Sequence, residues 1–301
     1  YVEAHMTYNQ WDYFKSSTAF FDNVTPSYLL QKENNIGVDI ATPLNNQGKL
    51  TMGADYMQQR DEYYQIKNFT KLDTADRTNF NGFNAHLYFE KNTLNRKQYA
   101  NKGHYFGLTA NYISGEEHDI PGSTSLNKER AKFNHNWIRL KLISDTYYNN
   151  KGPIRLGFYF EAVYSNQPLF NNYTSSILKS PSFQPTTESK TMFFESLRAY
   201  KYAAIGQKIL FKIQKNVDLR LEGYMFQPYR SLVNNNENGA FADEFSKLYT
   251  FGSGSLIYHS PIGPLCININ YYHNVPEITD NTQIPLTFLF HFGYVIFNRK
   301  G

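Results

Sequence analysis

The feature that most constrains this chain is an alternation of apolar and polar residues with a period of two. In residues 285–297 one face of the pattern is wholly apolar and mostly aromatic, whereas the other is mixed. The members of the apolar face are Phe288, Phe290, Phe292, Tyr294 and Ile296. Successive side chains of a β-strand point to opposite sides, so this alternation predicts a strand with one face in apolar surroundings.

The same alternation recurs twelve times along the chain. The predicted strands are residues 1–9, 36–43, 48–58, 79–90, 103–113, 134–144, 153–165, 199–213, 217–227, 247–259, 263–273 and 285–297. Long connections, at about 10–35, 59–78, 114–133, 166–198, 228–246 and 274–284, alternate with short ones at 44–47, 91–102, 145–152, 214–216 and 260–262. Alternating short turns and long loops are typical of outer-membrane β-barrels.

The composition fits the same fold class. The chain contains 25 Tyr and 24 Phe residues, yet its mean hydropathy is only −0.57. A membrane β-barrel explains how a chain rich in aromatic residues can have a low mean hydropathy. Only alternate residues of its strands face lipid, and the residues between them are polar. The sequence therefore predicts an all-β transmembrane antiparallel β-barrel in the bacterial outer membrane, with outer-membrane lipid as its partner. A soluble β-sandwich is the alternative, but it would have to bury twelve aromatic-rich faces in one core.

The charge and the motifs exclude several functions. With 30 basic and 26 acidic residues, the chain is too balanced to indicate nucleic-acid binding. It lacks the GxSxG, HExxH, P-loop and paired-cysteine signatures, so we predict no catalytic residue, no metal site and no cofactor in these residues. His5, His86 and His291 are expected to face the lumen in solvated or hydrogen-bonded roles, and Cys266 is expected to be inert.

Charged residues on the polar faces allow two interpretations. Arg220 and Glu222 share a face of one predicted strand, and Arg155 and Glu161 share a face of another. They could line a solvated pore. Alternatively, they could form a salt-bridge network that holds an inserted loop, since unpaired charges in a plugged lumen are costly.

The connection 166–198 differs in composition from a flexible external loop. It contains the apolar residues Phe183, Met192, Phe193, Phe194 and Leu197. Such residues favour burial, so we expect this segment to be ordered and folded into the lumen. A surface cap that faces a partner is the alternative.

Two stretches resemble a known superfamily. "FEKNTLNRKQYANKGHYFGLTANYISG" (89–115) and "SPIGPLCININYY" (260–272) are similar to strand–turn–strand units of the Bam-type outer-membrane assembly factors and two-partner secretion transporters. Residues 185–230, together with the end "FLFHFGYVIFNRK", resemble more narrowly the barrel of the patatin-like phospholipases of Bacteroidota outer membranes. Those proteins are type V autotransporter-like surface antigens.

The resemblance has implications for the whole protein. It implies a sixteen-stranded barrel preceded by a POTRA domain and a patatin lipase domain. Residues 1–301 would then be the C-terminal barrel of a longer protein, although twelve strands closing by themselves is the alternative. The barrel would anchor a fused or associated lipase, with a role in its export as a further implication, and a homodimer is a further expected partner. Any phospholipase activity would belong to the missing upstream domain, so whether the protein is an enzyme stays open.

The chain also departs from the superfamily pattern. Its long lumen loop lacks the Arg-Gly motif of the assembly factors, and the nearest cations are Lys190 and Arg198. We expect these two residues to anchor the loop together with Arg220 and Glu222. Two other functions stay open. One is an assembly or secretion transporter of the same superfamily, and the other is a passive porin lined by Arg139, Lys141, Arg155 and Arg220.

Overall fold

The computed structural model describes residues 1–13, 28–66, 69–149, 152–235, 239–279 and 285–294. Twelve long strands form one antiparallel sheet and pair in chain order. They are β1 (Val2–Tyr13), β2 (Leu29–Pro43), β3 (Gly48–Tyr63), β4 (Asp76–Asn92), β5 (His104–Ile120), β6 (Ala131–Asn149), β7 (Ile154–Ser165), β8 (Lys201–Gln214), β9 (Val217–Pro228), β12 (Tyr249–Ser260), β13 (Gly263–His273) and β14 (Leu286–Phe292). A separate small hairpin, β10 (Leu232–Val233) with β11 (Ala240–Phe241), lies between β9 and β12.

The predicted fold class is confirmed: the molecule is an antiparallel β-barrel. Alternation is visible in the exposure of single strands. On β13, Ile267 and Ile269 are exposed, whereas Cys266, Asn268 and Asn270 are buried on the other face. The sandwich alternative is wrong, because the long strands belong to one sheet rather than two packed sheets. Within the described residues, no ladder joins β1 to β14.

Helices are few and short. The connection between β7 and β8 contains α1 (Tyr173–Lys179) and a 3₁₀ turn (Glu188–Lys190), and α2 (Pro276–Thr279) follows β13. None of the described helices has the length and apolar character needed to cross a bilayer.

All twelve predicted strands are present, but several are longer than predicted. β2 starts at Leu29 rather than 36, β3 extends to Tyr63, and β5 extends to Ile120. The alternation of apolar residues stops before the strand ends, whereas the backbone pairing continues. The extensions carry polar contacts inside the barrel, such as the Gln31 amide that donates to the Asp61 carboxylate at 3.1 Å. The predicted loops 10–35, 59–78 and 114–133 were therefore too long.

The core of the molecule lies inside the barrel. Its largest cluster surrounds Phe183, and a second one joins Leu29 and Tyr63 of the wall to Ile177 of α1. A third cluster joins Phe80 to Phe170. Each of these clusters combines wall residues with residues of the β7–β8 connection, so that connection is a structural part of the barrel interior.

Candidate functional site

Residues 166–200, here called the lumen segment, connect β7 to β8. Their helix α1 begins with a capping box: the Asn172 side chain accepts a hydrogen bond from the Ser175 backbone, and the Ser175 hydroxyl accepts one from the Asn172 backbone. A capping box satisfies free amides at the start of a helix and thereby fixes its position. The segment also pairs with itself through an isolated bridge between Ser182 and Arg198. It is therefore an ordered element.

Aromatic packing joins the lumen segment to the barrel wall. Phe183 is fully buried, and its ring stacks 5.5 Å from Phe226 of β9. Four further wall rings lie around it: Tyr159, Tyr202, Tyr224 and Phe251. Phe193, Phe194 and Leu197 are buried as well. The apolar residues that the sequence singled out are thus in contact with the inner face of the barrel.

Polar contacts join the segment to the opposite wall. The Lys179 ammonium lies 2.6 Å from the Asp61 carboxylate and donates to the Gln59 side chain at 2.9 Å. The Asn172 amide donates to the Tyr63 hydroxyl at 2.7 Å. Near the 3₁₀ turn, Asn270 and Tyr272 of β13 donate to the Glu188 carboxylate. The segment is therefore attached to strands from both halves of the sheet.

A second element enters the lumen from the side of the short turns. Residues 93–103, here called the inserted turn, connect β4 to β5. The Arg155 guanidinium donates to the Asn101 carbonyl at 3.1 Å, and that of Arg220 donates to the Ala100 carbonyl at 2.8 Å. Tyr99 meets the lumen segment, because its hydroxyl lies 3.1 Å from that of Thr187. The two inserted elements therefore touch each other inside the barrel.

The four predicted anchoring residues lie in three different surroundings. Arg220 and Glu222 form an ion pair of 2.5 Å on the inner face of β9, next to the inserted turn. The Arg198 guanidinium donates to the carbonyls of Leu178 and Ser180 and thereby closes the end of α1. Lys190 lies in the 3₁₀ turn and lines a cavity.

Burial shifts the ionisation of groups in the lumen segment. It lowers the pKa of Lys190, and the nearby cations Lys141 and Lys208 lower it further. Burial raises the pKa of the Glu188 carboxyl above its ordinary value of 4.5. The pKa of Glu195 is raised for the same reason, with a further contribution from Glu277. The stability of the lumen segment therefore depends on whether these three residues are charged.

A cavity of about 820 Å³ remains between the lumen segment and the inserted turn. Its lining combines cationic, acidic and aromatic side chains, among them Lys190, Lys208, Arg220, Glu222, Tyr147 and Tyr159. Three of these residues are engaged in ion pairs, since Lys208 contacts Asp145 at 2.8 Å and Arg220 contacts Glu222. The remaining internal space is therefore bordered largely by charges that are already paired.

The last strand has the exposure that a lipid-facing strand requires. Phe288, Phe290 and Phe292 are 72%, 66% and 54% exposed. Tyr294, which was predicted to share this face, lies beyond the end of β14 and borders the internal cavity. Ile296 lies outside the described residues. On the other face of β14, the His291 ring accepts or donates a hydrogen bond with Tyr99 of the inserted turn at 2.5 Å. This strand therefore presents apolar rings outward and a polar contact inward.

The chain was compared with known proteins. No family model and no curated protein matches it. Among solved structures, it is similar to BamA from Haemophilus ducreyi lacking POTRA domains 1–3, with 13% identity and a TM-score of 0.51 over 90% of this chain and 55% of that one. At this level of identity the similarity shows the fold, an outer-membrane β-barrel. The chain spans about half the length of this neighbour.

A second solved structure matches more loosely. The beta domain of the Bordetella autotransporter BrkA is 8% identical, with a TM-score of 0.35 over 97% of this chain and 95% of that one. The exposed apolar face and the β-barrel fold agree with the predicted location in a bacterial outer membrane.

The sequence did not predict the role of the inserted turn. Residues 91–102 were interpreted as a plain short connection, although this connection is longer than the other short ones. Its composition offered one signal, because Leu94, Tyr99 and Ala100 interrupt an otherwise polar stretch. The bonds to Arg155 and Arg220 could not be predicted, since they depend on how closely β7 and β9 approach the turn.

Proposed function

We propose that this chain is a plugged outer-membrane barrel that anchors a larger protein, and that the anchored part is a patatin-like phospholipase. The observation that carries the anchor role is the occupied lumen. The lumen segment and the inserted turn meet at Thr187 and Tyr99 and bond to the wall on several sides. A barrel filled by its own chain is better suited to anchoring than to the free passage of solutes.

The passive porin is disfavoured by the same contacts. The four cations that were expected to line an open pore contact other groups inside the barrel. Arg155 and Arg220 donate to carbonyls of the inserted turn, and Lys141 lies 3.2 Å from the Glu161 carboxylate. Arg139 donates to the Lys179 carbonyl at the end of α1. Arg139, Arg155 and Arg220 therefore hold inserted elements, and Lys141 is paired with a residue of the neighbouring wall strand.

Conductance in planar bilayers tests the plugged barrel. We expect the wild-type protein to show only low and brief conductance. Replacing Phe183 by Ala removes the ring at the centre of the largest cluster and should increase the frequency of open events at least several-fold. Phe83→Ala is the matched control, since Phe83 is 65% exposed on the outer face and should leave conductance unchanged. A steady, wide conductance of the wild-type protein would favour the porin.

The lipase connection rests on the resemblance of residues 185–230 and of the end of the chain. The experiment is the intact mass of the native protein from outer membranes, with peptide mapping upstream of Tyr1. We expect a mass about twice that of this chain and a GxSxG-bearing peptide, followed by phospholipid hydrolysis in detergent. The same sample, run by native mass spectrometry, tests the proposed homodimer. A mass near 35.1 kDa would contradict the lipase connection.

Assembly or secretion of other proteins is the second candidate. It is favoured by the similarity in fold to the BamA barrel and by the resemblance of residues 89–115 and 260–272 to the assembly factors. Depletion of the native protein distinguishes the two functions. A general loss of other outer-membrane barrels would support assembly, whereas a selective loss of lipase activity would support the anchor.

A further inference from the structure

Four side chains from four consecutive strands meet on the inner wall: His5 of β1, Asp39 of β2, Asp55 of β3 and His86 of β4. The His5 ring nitrogens lie 2.5 Å from Asp55 Oδ1 and 3.6 Å from Asp39 Oδ2. The His86 ring nitrogens lie 2.9 Å from Asp39 Oδ1 and 3.1 Å from Asp55 Oδ2. Each carboxylate thus turns one oxygen to His5 and the other oxygen to His86.

The spacing of these atoms suits a metal ion. One nitrogen of His5 and one oxygen each of Asp39 and Asp55 lie within 4.8 Å of one another. A divalent ion at about 2.1 Å from each of its ligands brings such atoms to roughly 3.3 Å from one another. Small movements of the side chains would therefore complete the coordination.

Two glycines make room for this cluster. In the strand ladders, Gly37 lies directly opposite both His5 and Asp55, and Gly53 lies opposite both Asp39 and His86. A Cβ on Gly37 would lie 2.3 Å from Asp55 Oδ1 and 2.9 Å from His5 Nε2. A Cβ on Gly53 would lie 2.0 Å from Asp39 Oδ1. A side chain at either position would push these histidine and aspartate side chains out of their present positions.

The charge of the two aspartates is a second reason to expect a metal ion at this cluster. The Asp55 side chain is only 2% exposed, and Asp39 is 15% exposed. Two carboxylates that lie close together in a largely buried place need a compensating positive charge. A divalent cation bound between the two carboxylates would supply that charge. Neutral imidazole and carboxylate together form a ligand set typical of zinc and other first-row divalent ions.

We propose that His5, Asp39 and Asp55 bind a divalent transition-metal ion on the inner barrel wall. His86 is a positioning residue, because it bonds the carboxylate oxygens that face away from His5. The Asn84 amide, which donates to Asp55 Oδ2 at 3.1 Å, has the same role. Outer partners of this kind orient the ligands and typically contribute 10–100-fold to metal affinity. The ion would connect β1, β2 and β3 through their side chains. This connection would add to the backbone hydrogen bonds between neighbouring strands.

Zinc titration of the native protein tests the proposal. The protein is extracted in detergent, treated with EDTA and titrated with ZnCl₂ by calorimetry at pH 7.5. We expect one ion per chain, much weaker binding of Ca²⁺, and a rise in the unfolding temperature with zinc, because a ligand of the folded state alone stabilises that state. Binding should weaken at acidic pH, because protons compete with the metal ion for its ligand atoms.

Variants test whether the proposed ligands, rather than other residues of the chain, bind the zinc ion. Asp55→Asn and His5→Ala should abolish stoichiometric binding, and His86→Gln should weaken it 10–100-fold. His118→Ala is the control, because His118 lies on β5 beside Glu116, with 39% of its side chain exposed. Gly37→Ala should also abolish binding, whereas Gly223→Ala, a strand glycine with open space around it, should not.

Two results would overturn the proposal. The first is a folded wild-type protein that binds no zinc in a one-to-one ratio. The second is equal zinc binding by the wild type and by Asp55→Asn and His5→Ala. If a variant fails to fold, the wild-type titration and the His86→Gln affinity still decide between the metal site and a hydrogen-bonded network.

Discussion

The Tyr99 hydroxyl lies 2.5 Å from Nε2 of His291, although 192 residues separate them along the chain. The contact joins the inserted turn to the inner face of the last described strand. Tyr99 has a positive φ of 53°, a conformation that few residues other than glycine adopt. The same hydroxyl meets Thr187 of the lumen segment. One side chain therefore connects both inserted elements to the end of the sheet.

Tyr99→Phe should loosen the end of the sheet. It removes the hydroxyl and with it a partly buried hydrogen bond to the His291 ring, which costs about 0.5–1.5 kcal/mol. We expect faster amide hydrogen exchange over residues 286–292, measured by mass spectrometry in detergent. Tyr258→Phe is the control, because Tyr258 is 44% exposed on the outer face. Unchanged exchange in Tyr99→Phe would mean that this contact contributes no stability.

The buried ion pair on β9 should respond strongly to mutation. Arg220 contacts Glu222 at 2.5 Å, the Tyr147 hydroxyl at 2.7 Å and the Ala100 carbonyl at 2.8 Å. Arg220→Ala would leave a buried carboxylate without its cation, and we expect a loss of about 3–5 kcal/mol in the free energy of unfolding. Urea unfolding followed by the gel shift of heat-modifiable barrels measures this loss.

An exposed ion pair, Arg230 with Glu244, is the control for the prediction on Arg220. Arg230 lies 2.9 Å from Glu244, and both side chains are 47% exposed. Arg230→Ala should therefore cost less than about 1 kcal/mol, since exposed pairs are screened by water and salt. Similar losses for the two arginine variants would contradict the conclusion that Arg220 is a structural cation of the interior.

The lumen segment should be held more firmly at acidic pH. Burial raises the pKa of Glu195, so the folded segment favours the protonated carboxyl. The stability that this group contributes is complete below its ordinary pKa of 4.5 and is lost as the pH rises through its raised pKa. Glu188 acts in the same direction. We expect more frequent channel openings at pH 7.5 than at pH 4.5.

Glu195→Gln tests the source of this pH dependence. Glutamine can still accept the hydrogen bond that the Tyr173 hydroxyl donates to Glu195 at 2.9 Å, but it does not ionise. The change in opening frequency between the two pH values should therefore shrink. Lys190 acts oppositely, since its lowered pKa removes stability as the pH falls through that value. A variant with the full wild-type pH response would exclude Glu195 as the sensor.

A charge on the outer face should destabilise the barrel in lipid. Leu221 lies on β9 between Arg220 and Glu222 and is 45% exposed. Leu221→Arg is expected to cost about 2–4 kcal/mol if the side chain reaches the middle of the bilayer. Leu72→Arg, in a loop where Leu72 is 94% exposed, should change stability by less than about 0.5 kcal/mol. Equal stability of both variants in liposomes would mean that this face does not contact lipid.

The sequence predicted the fold class because the responsible signal is local. Alternation along ten residues is enough to distinguish an outer face from an inner face, as in Ile267 and Asn268 of β13. The apolar residues of the lumen segment, such as Phe183, also signalled burial by their type alone. Strand ends were predicted less well, because polar strand extensions such as Gln31 and Asp61 pair inside the barrel and carry no apolar alternation.

The proposed metal site could not be predicted from any local pattern in the sequence. His5 and His86 were expected only to face the lumen, and the predicted absence of a metal site rested on the lack of a spacing motif. The strand ladders place Gly37 opposite His5 and Asp55, and that register brings four distant side chains together. The sequence by itself determined which residues face inward. Only the tertiary structure decided which of them meet, because contacts across a barrel depend on strand register and on the elements that enter its lumen.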